Sequence, residues 1–309
     1  MINNFRDGDV IDEIFLVKNV NKGISVANNN GYLNVTLQDK TGVIEGKKWS
    51  IEDGDLEIFK TGNVIMISGQ VNMYKDRLQV KILNGRITGK DVDYSDILIE
   101  SPIPVEQLIE KYKYYLGSVK NNDCKEILAG VFEKYYADFI NYPAAVSNHH
   151  DFYHGLIYHT VSMCSLAEVI CKHYREISYD LLISGCLLHD VGKVIEFNGP
   201  VATKYTIEGN LVGHISIGAM IIDEVAKEKK IEGEVPLLLK HMILAHHGKQ
   251  EYGSPVLPAT REALLLSMID EMDSKIMCLD KAYSSIEEGE FTDRIYAFEN
   301  RQFYKPHKL

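Results

Sequence analysis

The period of the apolar positions changes once along this chain. Up to about residue 90 they come in short runs broken by turn residues. Tyr32 to Gln38 (YLNVTLQ) alternates with period two, the repeat of a strand with one buried face. Asp12 to Val20 predicts a strand before it and Gly23 to Ala27 a second, with a turn at Asn28-Asn29-Asn30-Gly31, where Asn and Gly accept positive φ. Asp39-Lys40-Thr41-Gly42 is another turn, followed by a strand from Val43 to Trp49. Asn63 to Tyr74 and Arg77 to Leu83 predict a hairpin about Lys75-Asp76, and a helical stretch, Glu52 to Lys60, sits between strands. This pattern suits a small all-β barrel of the five-stranded oligonucleotide-binding (OB) type. A different small barrel or a sandwich would give a similar pattern.

Asp91 to Pro104 interrupts both periods with four acidic residues and then Ser101-Pro102-Ile103-Pro104, which stops regular structure. Beyond it the period is helical: Val105, Leu108, Ile109 and Tyr112 fall at i, i+3, i+4 and i+7. Further helices are predicted over Cys124 to Phe139, Leu156 to His173, Tyr179 to His189, His214 to Lys227, Val235 to His247 and Thr260 to Lys281. The expected organisation is multi-domain: a barrel over 1–92, a linker over 93–104 and an all-α domain over 105–309. Arg301 to Lys305 is a short basic-aromatic tail, able to dock on another subunit, to approach a substrate or to fray.

Composition adds an asymmetry of charge. The 309 residues carry a net charge of −11. Residues 1–90 hold twelve Lys/Arg against eleven Asp/Glu, a balance of +1; the remainder holds 21 against 33, a balance of −12. A polyanion therefore meets the first segment more easily, or is drawn to cations bound in the second. Five cysteines without a CxxC pair predict reduced thiols. Met1 to Asp7 lacks a signal pattern, and no apolar run approaches the roughly 20 residues that span a bilayer. A cytoplasmic protein without membrane partners is expected.

The chemistry gathers around Leu187-Leu188-His189-Asp190-Val191-Gly192-Lys193. Adjacent imidazole and carboxylate groups suit a borderline divalent cation, and a carboxylate can bridge two. Ten of the eleven histidines lie between His149 and His247. His159 precedes the pair; His214, His246, His247 and Asp270 follow it. Asp270 sits in an apolar helical context, where a carboxylate needs a partner. Asp273, one helical turn on, is the runner-up ligand or an acceptor behind the site. His173 and His241 read as structural, and His154 and His149-His150 as structural or surface groups ahead of substrate-phosphate contacts.

The order H…HD…H…HH…D, with Lys193 completing His-Asp-x-Gly-Lys, resembles the HD superfamily of metal-dependent phosphohydrolases. By that resemblance His159, His189, Asp190 and Asp270 would hold one ion, and Asp190, His214, His246 and His247 a second. His246 and His247 are neighbours, so both ligate only if the helix end unwinds. Asp190 and Lys193 would be catalytic, the lysine directed at a phosphate oxygen or leaving group. A barrel followed by this domain resembles the YhaM-type 3′-to-5′ exoribonuclease family, through the lead-in NHHDFYHGLIYH to His159, Ala245-His246-His247-Gly248 and Met268 to Lys275. The lead-in departs from the family's Gly-Gly-Leu, with His154 in place of the first Gly. The resemblance implies hydrolysis of single-stranded RNA, and of single-stranded DNA, with manganese favoured and magnesium, cobalt or ferrous iron as alternatives. Its runner-up is a phosphohydrolase acting on nucleotides or a cyclic-nucleotide signal. In the barrel, Lys47, Lys48, Trp49, Lys75 and Arg77 are the candidate nucleic-acid contacts, with Tyr32, Phe59, Tyr74 and Lys81 behind them. A homo-oligomer is compatible with the apolar helix faces.

Overall fold

The computed structural model describes residues 1–25, 30–88, 97–99, 101–145, 152–201 and 203–308. Residues 93–96 and 100 of the expected linker, part of the turn at 28–31, and His149 and His150 lie outside the described residues. Two compact units are present, Met1–Glu100 and Ser101–Leu309.

The first unit is a closed five-stranded barrel. Its strands are β1 (Val10–Ile24), β2 (Gly31–Asp39), β3 (Gly42–Trp49), β4 (Val64–Tyr74) and β5 (Arg77–Ile87), with the short helix α1 (Asp55–Ile58) between β3 and β4. The order around the barrel is β1-β2-β3-β5-β4, and β4 pairs back onto β1. Every pairing is antiparallel except β3 with β5. The inward positions of the alternating runs fill the interior with Phe15, Leu33, Val35, Leu37, Ile65, Ile67 and Val80. At the β4–β5 hairpin, Lys75 and Asp76 both take left-handed conformations (φ 48° and 60°). Two such residues match the right-handed twist of the flanking strands.

Of the separate strand expected at Gly23 to Ala27, Gly23 and Ile24 belong to β1, and Val26 and Ala27 lie outside the described residues. β1 continues through Gly23, which pairs with Tyr32. A Cβ at Gly23 would stand 2.4 Å from the Tyr32 ring. The glycine is therefore an interior residue of β1 covered by a cross-strand aromatic, not the start of a new strand.

The second unit is helical: α2 (Val105–Ser118), α3 (Asn122–Asn141), α4 (Gly155–His173), α5 (Tyr179–Leu188), α6 (Lys193–Glu196), α7 (Ile207–Val212), α8 (His214–Glu228), α9 (Glu234–Ala245) and α10 (Arg261–Tyr283). Asn121, Ser178, Thr206 and Thr260 cap α3, α5, α7 and α10 by accepting a backbone N–H from within the first turn. α5 is apolar on every side, as a helix must be to sit at the centre of a core. It packs against α4, α9 and α10, and its C-terminal end delivers His189 and Asp190. The short α6 and α7 escaped the sequence reading. The C-terminal segment does not fray: it folds back as an irregular hairpin, with bridges between Phe291 and Tyr304 and between Ile295 and Arg301.

Candidate metal centre

Five stretches of the helical unit bring the predicted ligands together. α4 contributes His159, the end of α5 contributes His189 and Asp190, and α8 opens on His214. α10 contributes Asp270, while His246 and His247 follow the last residue of α9. That helix stops at Ala245, and Gly248 turns the chain with φ 75°. His246 and His247 thus leave the regular spiral together and can face one centre.

A glycine sets the approach of α8. A Cβ on Gly192 would lie 2.1 Å from the His214 carbonyl oxygen and 2.8 Å from the Gly218 nitrogen. Only a bare backbone lets the start of α8 come this near to the His-Asp pair.

Asp190 stands at the middle, buried, with its two oxygens facing different partners. Oδ2 lies 3.1 Å from His189 Nε2 and 3.9 Å from His159 Nε2. Oδ1 lies 3.6 Å from His214 Nε2 and 3.9 Å from His246 Nε2. Two groups of ligand atoms result, each within 4.8 Å: His159, His189 and Asp190, and His214, His246 and His247. Asp270 joins the first side, its Oδ1 3.1 Å from His159 Nε2.

The other nitrogen of each ring is held from behind. His189 Nδ1 meets the Cys186 carbonyl at 2.8 Å, His246 Nδ1 the Ile243 carbonyl at 2.6 Å and His247 Nδ1 the Tyr252 carbonyl at 2.7 Å. His159 Nδ1 meets Asp273 at 2.6 Å, and Asp273 also accepts from the Ser162 hydroxyl. Asp273 therefore orients a candidate ligand. Glu196 does the same for His214, meeting Nδ1 at 3.0 Å and accepting the His214 backbone N–H at 2.9 Å. Such contacts fix the tautomer so that Nε2 can present a lone pair. Glu196 was missed in the sequence; its only signal was a carboxylate set between Ile195 and Phe197.

Seven buried side-chain polar atoms among the described residues have no hydrogen-bond partner, and four of them are His189 Nε2, Asp190 Oδ1, His214 Nε2 and His246 Nε2. Each such orphan costs roughly 1–3 kcal/mol. Four gathered about one carboxylate fit a site made for cations. The electrostatics agree. Burial works to raise Asp190, but the Lys193 ammonium and the His189 imidazole hold it well below the usual carboxylate range. Burial likewise works to raise Asp270, and His159 holds it down. Burial pushes His246 and His247 below the usual histidine value, toward the neutral form that ligates. His159 runs the other way: its hydrogen bonds to Asp270 and Asp273 overcome burial and push it up to about 10.

Lys193 is buried and its Nζ lies 2.7 Å from Asp190 Oδ2. His154 has a left-handed backbone (φ 65°), a conformation glycine adopts without strain, and its Nδ1 meets the Ile140 carbonyl at 2.8 Å. His241 accepts the Ala259 N–H, and His173 lies at the exposed end of α4.

In the barrel, the Lys47 ammonium sits 5.3, 5.2 and 5.8 Å from the ring centres of Tyr32, Trp49 and Tyr74. Trp49 is 46% exposed and Tyr74 55%. Lys75 lies over Tyr74, and Lys75 and Arg77 line a groove with it. Lys81 pairs across from Lys47. Lys48 does not join them. It is 4% exposed and turned to Asp55 at 3.7 Å and Glu52 at 3.4 Å, because neighbours on a strand face opposite ways. Phe59 is core.

Comparison with known proteins matches residues 156–275 to the HD domain and residues 16–88 to an OB-fold nucleic-acid-binding domain. Among curated proteins, the 3′-5′ exoribonuclease YhaM of Bacillus velezensis is 42% identical, over 97% of this chain and 96% of its own. The proteins of the same name from a Geobacillus species and from Bacillus subtilis are each 41% identical. They cover 98% and 97% of this chain, and 94% and 96% of their own.

Proposed function

The chain belongs to the YhaM family of 3′-5′ exoribonucleases, and from that premise we propose that it is a metal-dependent hydrolase that shortens single-stranded RNA from the 3′ end. The observation that carries the reading is the set of orphaned buried atoms around Asp190. Two ions are proposed, with Asp190 as the bridge, because its two oxygens face two separate ligand groups. His159, His189 and Asp270 would complete one site, and His214, His246 and His247 the other. Mixed imidazole and carboxylate donors suit manganese first, then ferrous iron, cobalt or magnesium. When bound, such a pair of cations supplies an activated water and neutralises charge on the phosphoryl group.

The chain's own residues supply the rest. Asp273, Glu196 and the backbone carbonyls keep the imidazoles aimed. Lys193 places a cation beside Asp190, in reach of a phosphodiester oxygen. The barrel holds the strand without reading its sequence: Trp49 and Tyr74 offer faces for stacking, and Lys47, Lys75 and Arg77 offer charge to the phosphates. Single-stranded DNA presents the same bases and phosphates and is a proposed secondary substrate. No helix among the described residues is long and apolar enough to cross a membrane. The five cysteines are free, which suits the reducing cytoplasm proposed as its location.

The test is to load the protein with Mn²⁺ and offer an oligoribonucleotide with a free or a blocked 3′ end, beside a panel of mononucleotides and cyclic nucleotides. Stepwise shortening of the free end alone is expected, abolished by EDTA. Turnover of the nucleotides with the oligomer left intact would move the protein to the nucleotide phosphohydrolases.

A further inference from the structure

Beside the metal centre lies a cavity of about 640 Å³, inside the ~300–1,000 Å³ range of sites for compact organic ligands. Asp190, His246 and Asp270 line it on one side. Another part of its lining comes from the far end of the chain, residues 296–301 at the tip of the C-terminal hairpin. That hairpin is anchored. The Thr292 N–H donates to Phe303 at 2.9 Å, and the Lys305 N–H to Glu290 at 2.8 Å. Lys305 Nζ donates to the carbonyls of Tyr283 and Ile286 at the end of α10. Phe298 is buried, with its ring centre 4.6 Å from that of Phe303.

On this fixed base two side chains present groups that the fold does not fully use. Tyr296 is 88% exposed. The Arg301 guanidinium has no carboxylate in ion-pair range among the described residues; its Nε donates to the Phe298 carbonyl, and its Cζ lies 5.8 Å from the Phe303 ring centre. Glu299 is the acidic group on the same tip, so the wall is mixed in charge, with Arg301 as its anion-binding element. A bare aromatic face and an uncompensated fork of N–H donors are the two groups that hold single-stranded nucleic acid.

We propose that the C-terminal hairpin is the wall that receives the end of the substrate: Tyr296 stacks on the base of the 3′-terminal nucleotide, and Arg301 pairs with the next phosphate along the strand, not the one being cut. The assignment rests on the RNA reading above.

The experiment compares Y296A, Y296F, R301A and R301K with the wild-type chain, all loaded with Mn²⁺, on an oligoribonucleotide and on bis(p-nitrophenyl) phosphate. Tyr296 is too exposed for its truncation to disturb packing. On RNA, Y296A and R301A are expected to raise KM about 5- to 30-fold, with kcat held within about 3-fold. Y296F should behave as wild type, and R301K should recover part of the loss. Turnover of the small diester, which has neither base nor second phosphate, should not change. Unaltered KM on RNA in both alanine variants would overturn the proposal, and so would an equal loss on the small diester. A wild-type chain that cleaves the small diester and no RNA overturns the RNA reading itself, and the hairpin's role with it.

Discussion

The two units treat their polar groups in opposite ways. The helical unit buries histidines and aspartates around Asp190 and leaves several of their atoms without partners. The barrel leaves Trp49, Tyr74 and the cations near them at the surface, where water already satisfies them. A buried orphan is costly until its ligand arrives, so losing any one member of the proposed metal centre is expected to be felt. An exposed aromatic costs little when empty and gains modestly when covered, so the proposed barrel contacts would bind by the sum of weak, sequence-tolerant terms. Chemistry that tolerates no misplacement is inside; affinity that must tolerate any base is outside.

The contrast can be broken most sharply at Asp190. D190N keeps the shape but removes the charge that the two proposed ion sites would share, and hydrolysis of RNA should fall by about 1,000-fold or more. Single-turnover assays in Mn²⁺ check this, and activity within tenfold of wild type would mean the carboxylate is not central. E196Q tests whether support from behind matters as the buried geometry implies. Manganese affinity, followed by calorimetry, should weaken about 10- to 100-fold, without loss of the helical circular-dichroism signal. On the barrel side, W49A should weaken binding of single-stranded RNA about 5- to 30-fold, read by anisotropy in EDTA so that no strand is cut. An effect as large as that of D190N would erase the distinction between the two regions. The finest comparison is between neighbours. K47A should lower RNA affinity and flatten its salt dependence by about one unit of slope. K48A should leave RNA binding alone and lower the melting temperature, since it removes the buried partner of Asp55.

Much of this was legible from periodicity and spacing. The strands of the barrel and the long helices followed their apolar repeats, and the residues of the order H…HD…H…HH…D, read as candidate ligands, lie close together in the fold. What stayed hidden had physical reasons. Glu196 sits in a four-residue helix, too short to show a period, and its task depends on where His214 arrives. The hairpin at residues 291–305 has no alternation to find, because its pairing is irregular and interrupted by a turn at Glu299 and Asn300. Gly23 read as the start of a new strand, because a glycine covered by a cross-strand ring in mid-strand and a glycine between two strands look alike in one dimension. Lys48 was avoidable: on a strand, Lys47 and Lys48 cannot share a face, and the alternation that predicted the strand already implied it.

Gly192 gives the metal centre a gauge. Its backbone rests against the carbonyl of His214, the residue that faces Asp190 from the other side. Side-chain packing lets distances drift as rotamers change; a stop of main chain on main chain does not. The spacing between the two arms of the site is therefore machined rather than adjusted. A single added methyl group at that position would act as a shim, opening the jaws of the site while leaving each of its teeth in place.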